Sequence, residues 1–211
     1  MSQTPSGGRS PFPAIVEVRE STSGEAAPPP EGEARPSARQ DWAMRRQAVL
    51  QFSRSGQWDE VLKTLTFMSS SPRHSGIYQA LGHRVWVALK TQAPASDTVL
   101  ALFHLLNTLG PRHEIAGPVA ALAHFVARHR TPDHPDRELA MGQAQQMFAL
   151  VCGAINVLPG EPFDRWVRET HLDDPNHYVP VVLRALELMV GEEWWFDREA
   201  LERQLQEGGA S

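Results

Sequence analysis

An all-α fold is predicted by three features of this chain. The composition changes near Gln40, amphipathic periods of about 3.6 residues follow it almost without a break, and no stretch of the body alternates apolar and polar residues as a strand would. Together they describe a disordered arm ahead of a helical body, which is either a bundle or a short right-angled solenoid of about eight helices. The expected division is residues 1–38 for the arm, 39–207 for a single all-α domain and 208–211 for a flexible tail.

The arm comes first in order. It holds seven of the 17 prolines, Pro28, Pro29 and Pro30 among them, and carries too little apolar surface to offset the entropy of ordering. One apolar stretch interrupts it at residues 11–18, where Phe12, Ile15, Val16 and Val18 lie between prolines and polar sequence. A segment of this kind can add a strand to a partner's sheet or dock in a groove, which makes Phe12, Ile15 and Val18 candidate partner-binding anchors. A fold-back onto the chain's own body uses the same residues.

The body opens with a helix over residues 37–53 that places Trp42, Val49 and Phe52 on one side and Arg45 and Arg46 on another. Gly56 ends it, and a second helix runs from Trp58 through Val61, Leu62, Leu65 and Met68 to a stop at Ser69-Ser70-Ser71-Pro72. So short a turn makes an antiparallel αα-hairpin. Phe52, Gly56, Trp58, Asp59, Glu60, Val61 and Leu62, followed by Pro72, resemble the inner part of one tetratricopeptide unit. The likeness spans about 30 residues of a 34-residue period. It departs from the family pattern at Val49, Val61 and Met68, where small residues are usual. Residues 77–109 keep Ala80-Leu81-Gly82 but lack the glycine–aromatic–acid turn. The resemblance implies stacked hairpins and a protein-binding role.

Residues 97–109 are apolar nearly all round, with only Asp97, His104 and Thr108 forming a polar stripe, so this helix is expected to be central and most buried. Residues 114–129 bury Ile115, Val119, Leu122 and Val126, and residues 135–157 bury Leu139, Met147, Val151 and Ile155. Residues 162–171 show Phe163, Trp166 and Val167 on one face, and 176–190 show Val179, Val182, Leu183, Leu186 and Val190. The last helix follows Phe196, with Asp197 as its N-cap and Phe196 placed to pack on Leu201.

A net charge of −5 provides no global positive field to concentrate nucleic acid, so nucleic acid is not an expected partner. Arg39, Arg45, Arg46 and Arg54 near Trp42 are a local basic exception that can hold an acidic peptide or single-stranded nucleic acid, though a solvated helix face is the commoner explanation. The chain shows no amino-terminal leader and no apolar run of about 18 residues, so neither secretion nor a membrane is expected. Its lone Cys152, among Met147, Phe148, Val151 and Ile155, reads as a small packed hydrophobe. A cytoplasmic location follows as the expectation.

Two loops concentrate metal-ligand side chains. One holds His171, Asp173, Asp174 and His177, the other His129, Asp133, His134 and Asp136. His134, His171, Asp173 and His177 are therefore the candidate metal ligands, and the same groups could run acid–base chemistry. Helix capping accounts for both loops more simply, because Asp174 or Asp173, and Asp133 or His134, can each cap a helix with proline at its first position. His104, on the most apolar helix, is the histidine best placed for function if it lacks a core partner. There is no nucleophile elbow, phosphate loop or dinucleotide fingerprint, and neither a catalytic residue nor a cofactor is assigned. Trp194 and Trp195, beside Phe196, serve either to pack the final helix or as partner-binding anchors. The function expected is a non-enzymatic, cytoplasmic protein-interaction or assembly role. The alternative is an all-α metal-binding protein or enzyme built on a His/Asp cluster.

Overall fold

The computed structural model describes residues 38–71, 75–130 and 136–208. All of them belong to the unit Pro36–Ser211, which the chain forms apart from Met1–Arg35. The arm with Phe12, Ile15 and Val18, the Pro72 of the first hairpin, His134 and the end of the tail lie outside the described residues.

Within them the fold is all-α, with nine helices where the pattern predicts about eight. They are α1 (Ala38–Arg54), α2 (Trp58–Ser69), α3 (Ile77–Lys90), α4 (Ala95–Leu109), α5 (Ala116–His129), α6 (Arg137–Ile155), α7 (Glu161–Glu169), α8 (Pro175–Val190) and α9 (Arg198–Gly208). No helix among the described residues is long and apolar enough to cross a membrane.

Local chemistry sets the element ends. Gly56 turns the chain between α1 and α2 with φ of +71°, a region L-residues seldom occupy. Asp174 caps α8, its Oδ1 accepting from the Asn176 N–H at 2.9 Å with Pro175 in the first turn. Asp197 does the same for α9, accepting from the Ala200 N–H at 3.0 Å, while Phe196 and Leu201 are both buried.

Each helix from α1 to α5 packs on the next, α4 also touches α6, α8 returns to lie on both α3 and α5, and α9 reaches α1. The short turn at Gly56 folds α1 and α2 into an antiparallel hairpin. Gly117 lets α5 come close to the α7 region, where a Cβ would stand 3.2 Å from Leu172 and Trp166.

The structure corrects two expectations about the core. On α6 Leu139 and Ile155 are exposed, because the helix turns the stripe Ala140, Ala144, Met147 and Val151 inward. The most enclosed helix is α3, buried at every residue from Ala80 to Ala88, whereas α4 leaves Leu100 45% exposed beside Asp97. Three helices surround α3, namely α2, α4 and α8, and Gly82 allows α8 to approach, since a Cβ there would meet Val190 at 3.0 Å. His83 and Arg84 break the apolar pattern of α3 and disguise its position.

The turn from α3 to α4 is held from outside by Arg130, which follows α5. Its Nη1 points at the carbonyls of Ala88 (3.0 Å) and Ala93 (2.9 Å) and at Thr98 Oγ1 (2.9 Å), and its Nη2 donates to the Leu89 carbonyl at 3.1 Å. A helix C-terminus leaves carbonyls without partners, and this guanidinium supplies donors to two of them.

Candidate functional site

A groove of about 510 Å³ runs between α2 and α4, with α3 as its floor. Asp59, Leu62, Lys63 and Thr66 form its α2 wall, at intervals that keep one helix face in line. Arg84 and Ala88, one turn apart, come from α3, and Pro94, Asp97 and Leu100 complete the opposite side.

Arg84 distinguishes this groove. The residue is only 6% exposed, yet its guanidinium has no hydrogen bond or ion pair among the described residues. Burial lowers its pKa, and the field of Asp97 counters that in part. Guanidinium is so strong a base that the group stays charged even so. None of its nitrogens is among the buried polar atoms without a hydrogen bond, so the enclosed side chain opens its charged end on the groove, whereas the other enclosed arginine, Arg130, turns its charged end to four protein acceptors. Lys63, the other cation of the groove, is paired with Glu60 at 2.7 Å. His104 stands one helical turn beyond Leu100 on α4, half-buried, with its pKa lowered first by burial and then by Arg84. The histidine singled out from the sequence therefore lies within the electrostatic reach of the buried arginine.

A second cluster covers α3 from the side of the segment before α9. His83 is fully buried, and its ring stacks on Trp195 at 4.5 Å and meets Trp194 and Phe196 edge-on at 5.3 and 5.4 Å. The partners of the imidazole assign its tautomer: Nδ1–H donates to the Gln79 carbonyl at 2.7 Å, and Nε2 accepts from the Trp195 backbone N–H at 3.2 Å. Burial pushes its pKa down to about 4, so the ring is neutral around pH 7.

Trp195, 4% exposed, thus packs inward between His83 and Trp42, and its indole N–H is buried without an acceptor among the described residues. Trp194 is half-buried against Trp86, with the Arg198 guanidinium 4.3 Å from its ring centroid. The pair that the sequence offers as partner anchors is in this arrangement a wedge that seals the body, because α3 presents three rings' worth of apolar surface to cover.

The metal candidates are placed as follows. His171 and His177 bring their rings within 4.8 Å of each other, both exposed, and Asp173 beside them is exposed too. Among the described residues no group of three or more His, Cys, Asp or Glu side chains could hold a metal ion. Asp174 is engaged as the α8 cap, and His134 lies outside the described residues.

Sequence reasoning missed His83, Arg84 and Arg130. The first two were marked by a signal that can be read without coordinates: they are the only strongly polar residues inside the run from Ala80 to Ala88. Arg130 carried none, since its acceptors lie 32 to 42 residues earlier.

No family model, curated protein or solved structure matches this chain.

Proposed function

We propose that this protein is a non-enzymatic interaction body of adaptor or assembly type, which receives a segment of a partner protein in the groove between α2 and α4. The observation that carries the reading is Arg84, whose stem is enclosed while its guanidinium, with no hydrogen bond or ion pair among the described residues, opens on a largely apolar cleft. A groove with apolar walls and few polar groups has the character of a recognition site. The tetratricopeptide-like turn at Phe52, Gly56 and Trp58 supports the same role.

A cytoplasmic location belongs to this reading. It is supported by the lone Cys152, which is half-buried and whose thiol is pushed up in pKa by burial, as for a packed rather than a reactive cysteine.

A photo-crosslinking residue placed at Leu100, on the groove rim, tests the proposal in native cells. It should capture a discrete protein that the same residue at Leu188, exposed on α8, does not. Capture of nothing, or of the same species from both positions, counts against the groove.

A further inference from the structure

We infer that the groove selects a partner segment bearing a single carboxylate flanked by apolar side chains, and that Arg84 is the residue that reads the carboxylate. This deepens the groove-binding reading and rests on it. The guanidinium fork opens on the groove from an enclosed stem, makes no hydrogen bond or ion pair among the described residues and stays charged, which suits it to a planar carboxylate held by two parallel hydrogen bonds. Around it stand Leu62, Ala88, Pro94 and Leu100, which have no use for a second charge.

The rim decides against other anions. Asp59 and Asp97 both border the groove, and Lys63 is already paired with Glu60, so a polyanion would meet two carboxylates at the edge and one available cation at the floor. Phosphate backbones and polyacidic tracts are disfavoured on this ground, and one acidic residue, or one chain-terminal carboxylate, is favoured. A volume of about 510 Å³ accommodates a few residues of extended chain.

The test is a selection from a displayed library of random short peptides against the full-length protein, followed by affinity measurement of the enriched peptides. Enriched peptides should carry one Asp, one Glu or a free terminal carboxylate beside apolar residues. Their affinity should fall about tenfold or more on Asp→Asn, Glu→Gln or terminal amidation, and by a similar factor on Arg84→Met. The peptide changes leave the protein untouched, so this arm stands even if Arg84→Met alters folding, which helical circular dichroism checks. Leu100→Trp, which adds bulk at the rim, separates the two levels of the argument. Peptides blocked by Leu100→Trp but indifferent to their carboxylate and to Arg84→Met overturn the inference and leave the groove as a binding site. Binding unaffected by Leu100→Trp, or no enrichment at all, removes the groove reading and the inference together. Competition by a single-stranded oligonucleotide at the Arg84 site also overturns the carboxylate assignment.

Discussion

The two enclosed arginines should respond to the same substitution in opposite ways. Arg130→Met leaves the Leu89 carbonyl without a donor and takes one from those of Ala88 and Ala93, which keep the Ala93 N–H at 3.2 Å and the Thr98 hydroxyl at 3.3 Å, and it should cost about 2 kcal/mol in urea unfolding. Arg84→Met removes a cation that makes no hydrogen bond or ion pair among the described residues and has only the field of Asp97 to offset its desolvation, and it should leave stability unchanged or raise it. A comparable loss in both variants would show that Arg84 has a structural partner. His83 makes a pH-dependent contribution whose sign follows from its pKa. The folded ring titrates at about 4 against 6.5 for the unfolded chain, so the unfolded state takes up this proton first as the pH falls. Stability present above pH 6.5 is therefore lost progressively towards pH 4, by about 3 kcal/mol in all. Unfolding free energies measured across that window should show the slope in the wild type and lose it in His83→Gln.

At the scale of elements, the turn between α1 and α2 is held by α9. Trp58 donates its Nε1–H to Gln204 Oε1 at 2.8 Å and meets Phe196 edge-on at 5.9 Å, while Gly56 has Gln204 Nε2 3.1 Å from where a Cβ would stand. Trp58→Ala should cost about 3 kcal/mol or more, since the ring is 8% exposed and loses both contacts. Gly56→Ala should cost about 1–2 kcal/mol from the positive φ alone. Chemical denaturation of each variant measures these losses, and a Trp58→Ala loss below about 1 kcal/mol would place the ring at the surface. The hairpin itself was readable from Gly56, Trp58 and the Ser69-Ser70-Ser71 stop, and the Asp174 and Asp197 caps from the residues that follow them. Such signals are local, and local rules suffice for them. The rank of α3 over α4 was not readable, because burial there depends on α8, whose contact with α3 spans about a hundred residues of chain.

For the whole molecule the all-α class was legible and the candidate site was not. Helical period and turn residues repeat along the sequence, whereas the groove is a product of three helices presenting Asp59, Leu62 and Lys63, then Arg84, then Asp97 and Leu100 to one space. Among the residues singled out beforehand, His104 stands near that space, Trp194 and Trp195 seal the opposite cluster, and His171 and His177 face solvent. A charged residue in an apolar run marks either a satisfied core group or a site, and only the presence or absence of acceptors separates the two.

The wedge of Trp194, Trp195 and Phe196 also has a bearing on biosynthesis. A ribosome delivers α3 more than a hundred residues before the segment that covers it, so Trp86 and His83 emerge with one flank open and remain so until residues 194–196 are made. During that interval the nascent chain presents an aromatic surface without its lid, a natural station for a general chaperone. A chain ending before Trp194 should therefore accumulate bound to chaperones or as aggregate, even though eight of its nine described helices are complete.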